Sequence, residues 1–210
     1  MIATAICALA CAVLVVAEHR GLVRVRQASK TIASAAFVVL GARAAGGTAF
    51  GQCILVGLVL GAAGDIALLG HGRRAFAAGL ALFLAGHVAY CVAIAQREPV
   101  ARWLPDAGLA AFAPILCGGF VLVLIWPRLG ALAAAVIAYV AVIVAFVIGA
   151  LAAMRTGVVP RAFAVGAVLF FLSDLAVARD RFVARGFTNR ALGLPAYYAG
   201  QLLIAWTATS

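Results

Sequence analysis

An all-α, polytopic transmembrane bundle of eight helices is the fold this sequence predicts, as one domain over residues 1–210. Three observations carry that expectation. The 210 residues are 67% hydrophobic and only 10% charged, whereas a soluble domain runs at about 45–50% apolar and about 25% charged. So few charges cannot cover a water-facing surface. A mean hydropathy of +1.19 points the same way. Charged and Gly/Pro clusters also cut the chain into eight apolar runs, each near the roughly 20 residues that cross a bilayer. The runs are continuous and do not alternate with polar residues, which favours helices over a barrel. Disorder, a collagen-like repeat and a secreted disulfide scaffold are excluded by composition.

The elements follow in order. The first run, Ile2–Ala17, has no basic lead and carries Glu18, His19 and Arg20 behind it, so it reads as a retained span and not a cleaved signal peptide. Lys30 opens the second, Thr31–Ala45. A basic turn with Arg73 and Arg74 separates the third, Cys53–Leu69, from the fourth, Ala75–Ala95. The fifth, Gly108–Ile125, is bracketed by Trp103 and Trp126, about 34 Å apart at 1.5 Å per residue, as two interfacial anchors would be. Leu129–Ala153, Pro160–Ala178 and Ala191–Thr209 complete the set.

The formal charge of +10 does not call for a nucleic-acid partner, because basic residues collect in the cytoplasmic loops of membrane proteins. Eleven of the 16 lie in odd-numbered loops and five in even-numbered ones. The positive-inside rule therefore places the odd loops in the cytoplasm and both termini outside. The five cysteines all fall inside apolar runs without a CxxC pair, so they read as buried small hydrophobes. An Arg-for-Lys and Ala/Gly/Val bias fits a high-GC bacterial genome and hence a bacterial cytoplasmic membrane.

Only six acidic residues exist. Glu18, Glu98, Asp106 and Asp180 fall in loops or at span ends, where solvated side chains are expected. Asp65 and Asp174 instead lie roughly 8–9 Å inside their helix ends, at matching depth. A carboxylate at mid-span costs about 2.5–3.5 kcal/mol on insertion scales, so such residues turn inward and mark function by default. Gly57, Gly61 and Asp65 recur every four residues on one helix face, where small side chains admit a close neighbour. His87 and Tyr90 share a face of the fourth span, and Tyr197, Tyr198 and Gln201 cluster on the eighth. Ser173 precedes Asp174. Tyr139, alone in the sixth span, reads as packing. Lys30 is the one lysine among sixteen basic residues, a compact cation suited to phosphate.

Four stretches bring these residues together: Gly64-Asp65-Ile66-Ala67-Leu68-Leu69, Phe83-Leu84-Ala85-Gly86-His87-Val88-Ala89-Tyr90, Phe170-Phe171-Leu172-Ser173-Asp174 with Arg181-Phe182, and Tyr197-Tyr198-Ala199-Gly200-Gln201. In order and spacing the chain resembles the YhhN-like integral membrane family that includes the lysoplasmalogenases, from Lys30 to Gln201. Thr31 stands where that family commonly has proline after the lysine. The resemblance implies hydrolysis of the vinyl ether bond of a lysoplasmalogen to a fatty aldehyde and a glycerophospho-headgroup. It implies Asp65 and Asp174 as the catalytic pair, with Lys30, His87, Tyr90, Ser173, Tyr197, Tyr198 and Gln201 around the substrate.

The chemistry suits paired carboxyls. Vinyl ethers cleave in acid, through protonation of the carbon beta to oxygen and an oxocarbenium ion. One carboxyl must hold a proton and a second ionised group must stabilise the cation and orient water, as in glycosidases. The residues do not say which aspartate does which. Neither a metal nor another cofactor is required, and the expected partners are a lysophospholipid substrate and membrane lipids. The competing reading is a proton-coupled lipid or small-solute transporter, since intramembrane carboxyls and a histidine also build proton relays. A non-catalytic membrane scaffold is the third, and it leaves two buried aspartates unexplained.

Overall fold

The computed structural model describes residues 1–209, and the regular elements among them are all helical. They are α1 (Ile2–Arg20), α2 (Val23–Ala44), α3 (Ala49–Ala67), α4 (Gly72–Ala95), the short α5 (Val100–Ala107), α6 (Phe112–Ile125), α7 (Ala133–Arg155), α8 (Arg161–Phe182) and α9 (Phe187–Trp206). Without water to satisfy a broken ladder, a helix is the conformation in which an apolar run keeps its backbone hydrogen-bonded in lipid. The ends follow local chemistry. Gly21 takes a left-handed φ of 69° to stop α1, and Thr48 caps α3 by accepting the Gly51 N–H at 3.0 Å.

Eight of the helices are long, as the eight apolar runs predict, and the chain is an integral membrane protein. Six helical stretches are long and apolar enough to cross a membrane by length and composition. The 22-residue α2 and 20-residue α9 fall outside that group while matching it in length. Several of their polar side chains, Ser29, Ser34, Asn189 and Gln201, turn inward. Short turns make α1–α2, α3–α4 and α8–α9 antiparallel neighbours packed side against side. Those turns, with the α6–α7 connection, gather most of the basic residues at what we call the basic end.

Three boundaries differ from the sequence expectation. Helix α2 begins at Val23, not Thr31, so Arg24, Arg26 and Lys30 stand on its first two turns. Helix α8 runs on to Phe182 and α9 starts at Phe187, which places Asp180, Asn189 and Arg190 on helices too. These turns are amphipathic and face one another, which an apolar-run criterion excludes. The chain before α6 also forms the additional helix α5, broken from α6 at Gly108 (φ 56°). Trp103 is consequently no interfacial anchor. It is buried, donates its indole N–H to the Glu98 carbonyl at 2.8 Å and packs where Gly149 leaves no side chain.

The interior is aromatic and tightly apposed. Phe37, Phe146, Phe163 and Phe170 are buried with Leu58 and Ile204. Helices α8 and α9 approach so closely that a Cβ on Gly166 would stand 2.9 Å from the Gly200 carbonyl oxygen. Apolar side chains such as Leu116, Phe120 and Val123 on α6 face outward, as a lipid-solvated surface requires. The five cysteines are free and buried or half-buried.

Candidate active site

Asp65 ends the glycine stripe of α3 and is 2% exposed. The stripe is close packing: a Cβ on Gly57 would strike the Tyr90 ring, and one on Gly61 would stand 2.6 Å from Gln201 Nε2. Those missing side chains let α4 and α9 close on the carboxyl. Ser34 donates to Oδ2 at 2.6 Å, the Tyr197 hydroxyl donates to the same oxygen at 2.8 Å, and Lys30 Nζ lies 3.1 Å from Oδ1. One cation and two hydroxyl donors are what an ionised carboxylate needs away from water.

Behind it the polar chain continues. Gln201 Nε2 donates to the Tyr197 oxygen at 3.3 Å, and Tyr90 donates to Gln201 Oε1 at 2.7 Å. The buried amide thereby has a partner at each end, and each phenol is fixed in direction. Tyr198 sits 3.4 Å from both Ser34 Oγ and the Lys30 carbonyl oxygen, steadying the α2 side of the same cluster.

Asp174, on α8, has a different setting. Its Oδ2 accepts the Tyr139 hydroxyl from α7 at 2.8 Å. Its nearest basic atom is His87 Nε2, at 4.0 Å. The opposite ring nitrogen, Nδ1, lies 2.8 Å from the Phe83 carbonyl oxygen, which can only accept, so Nδ1 carries the hydrogen. In that tautomer Nε2 presents a lone pair, buried and without a hydrogen-bond partner. At 4.0 Å this lone pair faces the Asp174 carboxyl without hydrogen-bonding to it. The two carboxyls thus stand in unlike surroundings, a cation and two hydroxyl donors at Asp65 against a single phenol donor at Asp174.

Both carboxyls line one cavity of about 340 Å³, within the size range of small-molecule sites. Lys30, Ser173, Tyr139 and Tyr197 line it with them. Its wall toward α4, α6 and α7 is apolar, formed by Leu80, Val121, Ile125, Val136, Val140 and Ile143. Its mouth at the basic end carries Glu18, Arg26, Asp180, Arg181, Asn189 and Arg190. One cavity thus joins a polar mouth, two carboxyls and an apolar side wall, the three chemistries of a single-chain lipid.

Nine residues stood out in the sequence, and the structure divides them. Lys30, Asp65, Ser173, Asp174 and Tyr197 reach the cavity. His87, Tyr90, Tyr198 and Gln201 are no more than 2% exposed and stand one layer behind its wall, holding the residues that reach it. Four aromatic or hydroxyl contacts were not foreseen as parts of the site. Ser34 was legible in principle, since it lies four residues from Lys30 on one helix face. Tyr139 was not, because a lone tyrosine in an apolar span has no sequence neighbour to mark it. Phe83 and Phe170 line the cavity with both carboxyls, their rings edge-on to each other and to Tyr197. Among the described residues no group of three or more His, Cys, Asp or Glu side chains is arranged to hold a metal ion.

Comparison with known proteins gives a consistent picture. The YhhN family model matches residues 25–208. Lysoplasmalogenase TMEM86A of Bos taurus is 34% identical over 161 residues, and the match covers 74% of this chain and 64% of the relative. Lysoplasmalogenase TMEM86A of Homo sapiens is 34% identical over the same length, with the same coverage. The match therefore spans just under two thirds of the length of these curated relatives. No solved structure matches the chain.

Proposed function

Because the chain belongs to the YhhN family, we propose that it is a lysoplasmalogenase that cleaves the vinyl ether of a lysoplasmalogen with Asp174 as general acid and Asp65 as fixed carboxylate. The observation that carries this division is the unlike surroundings of two carboxyls in one cavity: a lysine and two hydroxyl donors around Asp65, one phenol and an unpartnered imidazole lone pair beside Asp174.

Asp174 transfers its proton to the vinyl carbon beta to oxygen, leaving an oxocarbenium ion beside the new Asp174 carboxylate. The Asp65 carboxylate adds negative potential and orients a water. That water adds to the cation and gives up a proton, which restores Asp174. The hemiacetal then collapses, its hydroxyl proton ending on the glycerol oxygen as the aldehyde leaves. Fixed dipoles and charges in a site shielded from water stabilise such a cation without reorganisation. Tyr139 and His87 hold the acid in place, and Tyr197, Gln201 and Tyr90 hold the anion. The fatty chain lies against the apolar wall of α4, α6 and α7. By the positive-inside rule the basic end faces the cytoplasm.

The test is release of fatty aldehyde when the purified protein meets a lysoplasmalogen in mixed micelles. Aldehyde and a water-soluble glycerophospho-headgroup are expected in equal amounts. No aldehyde, together with lipid or solute flux that follows a proton gradient in proteoliposomes, would favour the transporter reading.

A further inference from the structure

The mouth of the cavity holds a charge cluster that the proposed chemistry does not use. Glu18 from α1, Arg26 from α2, Asp180 at the end of α8 and Arg190 from α9 converge there. Arg190 Nη1 lies 2.8 Å from Glu18 Oε2, and its Nη2 lies 3.6 Å from Asp180 Oδ2. Arg26 Nε stands 4.0 Å from Glu18 Oε1, beyond hydrogen-bond reach, and is buried with no hydrogen-bond partner. Asp180 is pre-set by its surroundings: Oδ1 accepts the Gly186 N–H at 3.0 Å and Asn189 Nδ2 at 3.2 Å, which turns Oδ2 toward Arg190. Asn189 is itself buried and also donates to the Ala184 carbonyl, so this side of the mouth is rigid.

The cluster lies at the right height. Asp180 follows Asp174 by six residues on one helix, roughly 9 Å of rise, and Arg26 precedes Lys30 by one turn. That separation is comparable with the glycerophosphate backbone between an sn-1 ether and a headgroup. Of the three guanidiniums at this opening Arg181 stacks on Phe76, which leaves Arg26 and Arg190 alternating with the carboxylates of Glu18 and Asp180. Such a set is complementary to a zwitterion, not to a bare anion.

Resting on the lysoplasmalogenase reading, we infer that this cluster is a headgroup clasp that selects a phosphoethanolamine zwitterion. The phosphate sits against Arg26 and Arg190, and the primary ammonium donates to Glu18 and Asp180. A quaternary ammonium has no hydrogen to donate and relies instead on open aromatic faces. Phe76 at this mouth already carries Arg181, 4.4 Å above its ring, and sits edge-on to Phe182. The Glu18–Arg190 pair opens on binding, exchanging an internal ion pair for two contacts of the same signs.

The experiment compares aldehyde release by the full chain from three alkenyl lysolipids with identical tails, bearing phosphoethanolamine, phosphocholine or bare phosphate. Wild type should show the highest kcat/KM with phosphoethanolamine. Glu18→Gln should erase about tenfold of that advantage over bare phosphate, mainly through KM, the value of one charge-assisted hydrogen bond. Asp180→Asn, which keeps an oxygen for Gly186 and Asn189, should act in the same direction. Arg190→Gln should raise KM for all three substrates. Equal rates with the three headgroups in wild type, or parallel losses on all three in both carboxylate variants, would reduce the cluster to an interhelical strut while leaving the hydrolase intact. Aldehyde from none of them would overturn the hydrolase reading itself, and the clasp with it.

Discussion

Removing the Lys30 ammonium while keeping its stem, in Lys30→Met, should destabilise the protein far more than removing both charges of the pair. Lys30 Nζ lies 3.1 Å from Asp65 Oδ1, a separation worth about 5 kcal/mol at an effective dielectric of 20. The lysine side chain is 14% exposed and the aspartate 3%, so part of that attraction offsets the cost of stripping water from the lysine. Without the cation, Asp65 keeps the hydroxyls of Ser34 and Tyr197 but no countercharge. Orphaning one member of a buried pair costs about 3–5 kcal/mol. The low end, about 3 kcal/mol, corresponds to roughly 6–12 °C in Tm for a chain of this size. In Lys30→Met/Asp65→Asn the stranded charge is gone, so Tm should recover most of the loss. Thermal unfolding of wild type, both single variants and the double variant in one detergent closes the cycle. A coupling energy above about 1 kcal/mol is expected for groups in direct contact. Strictly additive losses would show that Asp65 is not an anion held by Lys30.

Other perturbations separate the roles of the remaining residues. Asp174→Asn should lower kcat by about 10²–10⁴-fold, the ordinary worth of a positioned general acid, with Tm within a few degrees of wild type because the Tyr139 bond survives. Tyr139→Phe should cost about tenfold in kcat with little change in KM, since one hydrogen bond to the acid is lost and none to the substrate. Gly57→Ala should destabilise by about 1–3 kcal/mol in thermal unfolding, as its methyl drives into the Tyr90 ring; wild-type stability there would mean that α3 and α4 are not closely apposed.

Much of the architecture was legible because lipid imposes a simple rule: an apolar run of spanning length folds as a helix. The same rule exposed Asp65 and Asp174, since a carboxyl within such a run is conspicuous. It blurred the helices whose first or last turns are polar. Arg24, Arg26 and Lys30 look like loop residues until the partners of α2 are known, and Asn189 and Arg190 look so for α9. Trp103 resembled an interfacial anchor by spacing alone, whereas the missing side chain of Gly149, which no spacing reveals, makes room for it inside. The clasp was invisible for a related reason. Glu18 and Asp180 are 162 residues apart in the chain, and each alone looks like a solvated charge at a span end. The partition between cavity-lining residues and those behind them is likewise a property of helix rotation, which a spacing of three or four does not determine.

Proton transfer to carbon leaves a permanent record in the product, and isotopic labelling in heavy water reads it most directly. When the purified protein cleaves a lysoplasmalogen in D2O, we expect the fatty aldehyde to carry one deuterium on the carbon next to its carbonyl, delivered from the exchanged Asp174 carboxyl. Aldehyde formed at the same rate without deuterium on that carbon would contradict acid catalysis by the intramembrane carboxyl pair.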